Sequence, residues 1–257
     1  MTRSRPDVPT RDEYFDRWAA LHGGHDPRSS GLTRAWLSRV YDVARPVARA
    51  GVGPGVVTSS APVLAGAAVA VLVASAQPAG GWALVAAVLV AASGIVDNVD
   101  GAVAVMTGRV TRWGFVLDSM VDRLCDALYL VALWVAGAPG WVCVVGGALM
   151  GMQEYVRARA AQAGMTDIGV VTVWERPTRV IVTAMFLLGA SVHPDAAASW
   201  ASGGSVAWAL LGLVGCTQVV LAVRRRLQAP RDGDDPRSAE APGGVEAPGG
   251  IVRRGDD

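Results

Sequence analysis

The most regular feature of the sequence is a series of six long apolar segments separated by short polar stretches. They cover residues 56–76, 82–106, 113–136, 141–160, 178–193 and 205–223. Most approach the roughly 20 residues that a helix needs to cross a hydrocarbon core of about 30 Å, and the fifth is shorter. With 52% hydrophobic residues and a mean hydropathy of +0.35, the chain is too apolar for an ordinary soluble domain. The pattern predicts an all-α integral membrane protein with six transmembrane helices.

A different periodicity precedes these segments. Between residues 32 and 50, apolar side chains such as Leu32, Trp36 and Val40 share one helical face, while arginines lie largely on the other. This arrangement predicts an amphipathic helix that lies along the membrane surface. Residues 1–31 are polar and predict a mobile cytosolic arm with one short helix. Residues 228–257 are rich in Pro, Gly and charge and predict a disordered cytosolic tail, so residues 32–227 form the membrane domain.

The arginines predict the orientation of the helices. The connections at 77–81, 137–140 and 193–204 contain no arginine. The alternate connections and the end of the last segment carry Arg109, Arg112, Arg157, Arg159, Arg176, Arg179, Arg224, Arg225 and Arg226. Because short cytosolic loops hold the excess of basic residues, both termini should face the cytosol of a multi-pass protein in the cell membrane. The net charge of +1 gives no reason to expect a nucleic-acid partner.

Four carboxylates interrupt the second and third apolar segments. Asp97 and Asp100 are three residues apart, and Asp118 and Asp122 are four apart, so each pair shares a helical face. A short turn makes the two helices antiparallel neighbours and brings both pairs to a similar depth on the cytosolic side. Among the arginines, only Arg123 matches that depth as an ion-pair partner. Ionisable groups in such places indicate a functional site, and four carboxylates that converge need cations, for which Mg²⁺ or Mn²⁺ is suited.

The residues around the carboxylates suggest what the metals would act on. Gly101, Ala104 and Gly114 leave space beside the acidic faces, and the cytosolic arginines can bind phosphate oxygens. Metals, arginines and a space open to both lipid and cytosol favour phosphoryl-type transfer onto or off a lipid. An ion or metal transporter is the alternative, and it would place ionisable groups near the bilayer centre on several helices. Gly147 and Gly151 form a GxxxG pattern that predicts close helix packing.

The stretch DNVDGAVAVMTGRVTRWGFVLDSMVD, residues 97–122, resembles the signature of the CDP-alcohol phosphatidyltransferases, D-x2-D-G-x2-A-R-x8-G-x3-D-x3-D. The resemblance implies that the four aspartates bind two divalent metal ions. It also implies that Asp122 is the general base that deprotonates the acceptor hydroxyl. The same resemblance assigns nucleotide contacts to Gly101, Ala104, Gly114 and Thr111.

Three further segments extend the resemblance. PGVVT, which ends at Thr58, is similar to the start of the family's first transmembrane helix, which implies that Thr58 contacts the substrate. EYVRARA and ERPTR are similar to segments of actinobacterial phosphatidylinositol-phosphate synthases, which implies that Arg157, Arg176 and Arg179 contact a phosphorylated acceptor. The implied reaction transfers a phosphatidyl group from CDP-diacylglycerol or another CDP-alcohol to an acceptor such as inositol phosphate or glycerol phosphate and releases CMP. The implied assembly is a homodimer.

One signature position departs from the family pattern, because Val105 stands where the family has arginine. Arg109 is one helical turn further on and is the candidate substitute for contact with the substrate phosphates. The substitution keeps open a second interpretation, in which the chain is a weakened or non-catalytic relative.

Overall fold

The computed structural model describes residues 8–165 and 171–228, and its regular elements in those ranges are all helical. Two of the helices precede the first predicted membrane segment, and each of the six predicted segments falls on one longer helix. The helices are α1 (Arg11–Leu21), α2 (Gly31–Arg49), α3 (Pro54–Ala74), α4 (Gly80–Thr107), α5 (Arg112–Val135), α6 (Gly140–Gln162), α7 (Arg176–Val192) and α8 (Ala197–Gln228). Short 3₁₀ turns at Pro27–Ser29 and Pro194–Ala196 precede α2 and α8.

The membrane class predicted from the sequence is confirmed. Within the described residues, three helical stretches are long and apolar enough to cross a membrane: Pro54–Ala74, Gly80–Thr107 and Pro194–Gln228. The helix α7 has only 17 residues, and α5 and α6 carry several charged side chains toward one end. The count of six membrane spans therefore stays a prediction.

The connection between α4 and α5 is short because its residues favour a tight reversal. Gly108 ends α4 in the left-handed region at φ 65°, which glycine adopts without steric cost. Thr111 is the N-cap of α5, and its hydroxyl accepts a hydrogen bond from the Gly114 N–H at 2.9 Å. The two helices that carry the signature carboxylates are thus joined at the ends that carry them, as the sequence predicted.

The predicted short helix in the N-terminal arm exists as α1 and packs on the membrane domain. Tyr14 and Phe15 are buried, and the Tyr41 hydroxyl of α2 donates a hydrogen bond to the Pro9 carbonyl at 2.9 Å. Arg17 donates to the Met106 carbonyl of α4 at 2.9 Å. Residues 1–7 of the arm and 229–257 of the tail lie outside the described residues, and the predicted division into three segments stays a prediction.

The predicted amphipathic helix is α2, but its apolar residues occupy two faces rather than one. Leu37 and Val40 are buried against the protein, whereas Leu32, Trp36 and Val43 are exposed. The exposed apolar residues recur at the same angle around the helix, which is the pattern of a helix whose second face meets lipid. The prediction that Val40 shares the face of Leu32 and Trp36 is wrong, because packing against the protein takes that side chain.

Close approach between α4 and α7 depends on Gly94. A β-carbon added at this position would lie 2.8 Å and 2.9 Å from the two methyl carbons of Val180. Gly147 also packs closely, since a β-carbon there would lie 3.3 Å from Leu130. The second glycine of that GxxxG pattern, Gly151, has no heavy atom of the described chain within 4 Å of its β-carbon position, so the packing predicted for it is not found within the protomer.

We expect Gly94→Ala to destabilise the fold by about 1–3 kcal/mol, because the stiff, β-branched Val180 cannot move aside without shifting α7. Gly151→Ala in α6 is the matched control, and it should be neutral or slightly stabilising because its site is open. The measurement is denaturant unfolding of both variants in detergent micelles. Equal stability of Gly94→Ala and wild type would show that α4 and α7 do not depend on this contact.

Candidate metal centre

Three of the four signature carboxylates form one cluster. Oxygen atoms of Asp97 and Asp100 on α4 and of Asp118 on α5 all lie within 4.8 Å of one another. Asp100 is 5% exposed, and its Oδ2 atom is buried without a hydrogen-bond partner among the described residues. The Thr58 hydroxyl lies beside this carboxylate and donates to the Pro54 carbonyl at 3.0 Å. A buried carboxylate oxygen without a donor is costly unless a cation binds it.

The chemistry of this cluster fits a divalent metal ion. Carboxylate oxygens are hard ligands of the kind that Mg²⁺ and Mn²⁺ prefer, and three of them already converge before any ion is considered. The unpartnered Asp100 oxygen is the specific observation that favours a cation over a purely hydrogen-bonded cluster. Asp97, Asp100 and Asp118 are therefore the residues that can hold the metal.

The fourth carboxylate, Asp122, is joined to the cluster by an arginine. Arg176, in the first turn of α7, donates from Nη1 to Asp122 Oδ1, and its Nε lies 3.1 Å from Asp97 Oδ2. Only 10% of the Arg176 side chain is exposed, so this ion pair is largely shielded from solvent. The sequence-based expectation that Arg123 alone could pair with these acids is wrong, because α7 brings Arg176 in from 54 residues away. Arg123 itself lies 3.6 Å from Asp122.

A second ionic network lies directly behind the first. The guanidinium of Arg179 is 1% exposed and donates to Asp126 Oδ2 at 2.8 Å and to Glu154 Oε1 at 3.0 Å. The same group donates to the Trp174 carbonyl at 3.0 Å. Arg123 also binds Glu154, at 2.8 Å. These contacts tie α5, α6 and α7 together at the depth of the carboxylate cluster.

Sequence reasoning did not single out Asp126 or Glu154. Asp126 lies four residues after Asp122, as Asp122 lies four residues after Asp118. This repeat places the three acids on one face of α5 and could have indicated Asp126 as a member of the site. Glu154 lies 25 residues from its partner Arg179, a separation at which no local pattern indicates contact.

Arg157, predicted to contact an acceptor phosphate, binds a carboxylate within the protein. It donates to Glu175 at 3.0 Å, and Glu175 also accepts from the Thr172 N–H at 2.8 Å and from the Thr172 hydroxyl at 2.7 Å. Burial of Glu175 favours a higher pKa, but the hydrogen bonds from Arg157 and Thr172 outweigh it and hold the pKa below its ordinary value. Glu175 is therefore ionised at neutral pH and fixes the segment that leads into α7.

The small residues of the signature are close in sequence to the carboxylates, and Gly101 leaves open space. It is exposed, with no heavy atom of the described residues within 4 Å of its β-carbon position, and Ala104 is half-buried. Gly114 has a different neighbour, since a β-carbon there would lie 3.1 Å from the Thr111 hydroxyl oxygen. Thr111 uses that hydroxyl to cap α5, so its expected role as a nucleotide contact competes with a structural one.

Arg109 points toward the turn between α2 and α3. A β-carbon added at Gly53 would lie 3.7 Å from the Arg109 Nη1 atom. Among the described residues, Arg109 forms no ion pair with the carboxylates of the cluster.

An apolar groove of about 940 Å³ has two of the signature carboxylates, Asp97 and Asp122, in its lining. It runs between α4 and α7, with Trp36 of α2 at its side. Its apolar walls are formed by Leu84, Ala87, Val88, Ala91, Ile95, Val180, Ile181, Ala184, Met185 and Leu188. Asp97, Asp122 and Arg176 also line the groove. One continuous surface thus joins a strongly apolar wall to the charged end of the site.

Comparison with known proteins agrees with this geometry. Residues 54–222 match the family model of the CDP-alcohol phosphatidyltransferases. Archaetidylinositol phosphate synthase of Methanothermobacter thermautotrophicus is 39% identical over 123 residues, which cover 47% of this chain and 62% of that protein. Phosphatidylinositol phosphate synthase of Mycolicibacterium smegmatis is 34% identical over 169 residues, which cover 63% of this chain and 72% of that protein.

A solved structure is also similar. It is the crystal structure of Mycobacterium tuberculosis phosphatidylinositol phosphate synthase with CDP-DAG bound, at a TM-score of 0.56 and 26% identity, covering 72% of this chain and 92% of that one. The match to the archaeal relative named above covers less than two thirds of that protein's length. The family model nonetheless spans more than half of the chain and includes every carboxylate of the cluster. The chain belongs to the CDP-alcohol phosphatidyltransferase family.

Proposed function

We propose that the protein transfers a phosphatidyl group from CDP-diacylglycerol to the hydroxyl of inositol phosphate and releases CMP. The observation that carries the proposal is the apolar groove whose lining includes Asp97, Asp122 and Arg176. A donor of this class has two acyl chains and a pyrophosphate, so it needs an apolar surface continuous with a cationic site. The relatives named as phosphatidylinositol phosphate synthases support inositol phosphate as the acceptor.

The proposed metal ligands are Asp97, Asp100 and Asp118, with two ions of Mg²⁺ or Mn²⁺ as the expected number. When bound, the ions supply positive charge that offsets the pyrophosphate and the charge that develops on the departing CMP. Without cations, the carboxylates of this cluster would repel the donor that the groove receives. Gly101 and Ala104 leave the space beside the cluster that the nucleotide would occupy.

Asp122 is the proposed general base. It accepts the proton of the acceptor hydroxyl as that oxygen attacks the β-phosphorus of the donor. The bond between this phosphorus and the bridging oxygen breaks, and CMP leaves with that oxygen. Arg176 contacts both Asp122 and Asp97, so it holds the Asp122 carboxylate in position beside the groove. The cationic guanidinium also lies where an incoming phosphate ester would pass.

The three arginines expected at the acceptor phosphate receive different proposed roles. Arg176 lines the groove beside Asp122, so it is the arginine best placed to contact a phosphate. Arg157 binds Glu175 and holds the segment before α7. Arg179 is 1% exposed and both of its Nη atoms donate to protein oxygens, so we propose that it positions α7 rather than binds the acceptor.

The orientation of the protein follows from the same site. The carboxylates lie on α4 and α5 toward the connection between them, where Arg109 and Arg112 are found, and basic connections favour the cytosolic side. We therefore propose a multi-pass protein of the cytoplasmic membrane, with the site on the cytosolic face where soluble inositol phosphate is present. Assembly as a homodimer stays a prediction.

Replacement of Asp122 tests the base directly. We expect Asp122→Asn to lower CMP release from CDP-diacylglycerol and inositol phosphate by at least about a hundredfold, because an amide cannot accept the hydroxyl proton. The assay uses purified protein with Mg²⁺ or Mn²⁺ and radiolabelled donor. Asp195→Asn is the control, an exposed acid in the turn before α8, and should release CMP at the wild-type rate. Wild-type turnover by Asp122→Asn would exclude it as the base.

Obstruction of the groove tests the lipid path. We expect Ala91→Trp to raise the KM for a long-chain donor by about tenfold or more, because the indole would fill space that the acyl chains need. A water-soluble short-chain donor should be affected much less. Val63→Trp, on an exposed position of α3, is the matched control and should leave both KM values unchanged. An equal effect on the two donors would argue against acyl chains in this groove.

A further inference from the structure

The surroundings of Val105 explain why an arginine is absent there. Val105 is 9% exposed and belongs to an apolar cluster that includes Tyr14, Phe15 and Tyr41 of the N-terminal helices, together with Met106. An apolar side chain at this position packs with the other members of the cluster, whereas an arginine there would have to extend its guanidinium out of it. The residue at 105 thus serves the docking of α1 and α2 on α4.

Two other guanidinium groups lie at the end of the same helix. Arg17 of α1 donates from Nη1 to the Met106 carbonyl at 2.9 Å, which is one of the carbonyls that the end of α4 leaves without a helical partner. Arg109 follows α4 directly and extends toward Gly53. Both arginines line one cavity of about 210 Å³, together with Val52 and Thr107.

This cavity has an excess of positive charge. None of the residues that line it is acidic, and neither Arg17 nor Arg109 forms an ion pair within the described part of the chain. Glu13 of α1 is close enough to Arg17 for an electrostatic interaction, but its carboxylate accepts from the Thr10 N–H at 2.7 Å and so serves as a helix cap. The volume is several times the share of one water molecule in the liquid, about 30 Å³, so a phosphate group fits.

We propose that Arg17 and Arg109 form a binding site for a small phosphate monoester or free phosphate. The site lies beyond the carboxylate cluster, since Met106 is six residues past Asp100, about 9 Å along the axis of α4. The family signature has an arginine at the position of Val105. Here Arg17 and Arg109 supply positive charge near the same end of α4, and Arg109 is one helical turn from Val105. Arginine is suited to this ligand because its planar donors bind phosphate oxygens in pairs. The proposed function determines which phosphate compounds are chosen to test this site, whereas the site is inferred from Arg17, Arg109 and the cavity alone.

The test is a binding titration on the full-length protein in detergent, with EDTA present so that metal-dependent binding at the carboxylates is abolished. Inorganic phosphate, CMP and inositol phosphate are titrated separately by calorimetry. We expect wild type to bind at least one of them, and Arg17→Ala and Arg109→Ala each to weaken that binding by about tenfold or more. Arg39→Ala, an exposed arginine of α2 outside the cavity, should change the affinity by less than about twofold.

The tightest of the three probes identifies the source of the phosphate. Arg109 is exposed and forms no ion pair in the described chain, so its replacement should not impair folding even if that of Arg17 does. No binding by wild type, or unchanged binding by Arg109→Ala, would overturn the proposal. The titration measures binding and not turnover, so its outcome is independent of the proposed function. A protein without transferase activity can still bind phosphate here, and an active protein can fail to bind it.

Discussion

The structure depends on the neutralisation of carboxylates that are gathered at one end of a helix bundle. The acids of this region lie on α4, α5 and α6 and comprise Asp97, Asp100, Asp118, Asp122, Asp126 and Glu154. Within the described part of the chain, the ion pairs to them come from Arg123, Arg176 and Arg179. The six acids outnumber these three arginines by three. In a poorly solvated site such an excess is strongly unfavourable, and divalent cations offset it. The proposed metal ions would therefore serve the fold as well as the proposed reaction.

The helix α7 contributes both to the ion pairs of the carboxylate region and to the apolar groove. Its first turn supplies Arg176 and Arg179, which bind acids of α4, α5 and α6, and its following turns form one wall of the groove. Gly94 allows α4 and α7 to approach closely enough for both functions. The same element thus balances the charge of the site and shapes the apolar surface, so a shift of α7 would disturb metal, donor and base together.

Much of this arrangement follows from local sequence. The apolar runs, the turn at Gly108 and the spacing of Asp97, Asp100, Asp118 and Asp122 depend on neighbours within a few residues, so helices and acidic faces could be predicted. Ion pairs that join distant segments could not, because spacing carries no information on which arginine reaches a site. Arg176 and Arg179 were therefore expected on a substrate phosphate, and Asp126 was not noticed. Val105 departs from the family signature, and the sequence does not indicate that residues of α1 and α2 pack against it.

Electron paramagnetic resonance of bound Mn²⁺ tests most directly whether the carboxylate cluster binds divalent metal ions. Wild-type protein should bind Mn²⁺ at Asp97, Asp100 and Asp118, and Asp100→Asn should lose at least one bound ion because its buried oxygen has no other partner. Asp195→Asn should bind as wild type does. Absence of Mn²⁺ binding by wild type, or unchanged binding by Asp100→Asn, would contradict the account.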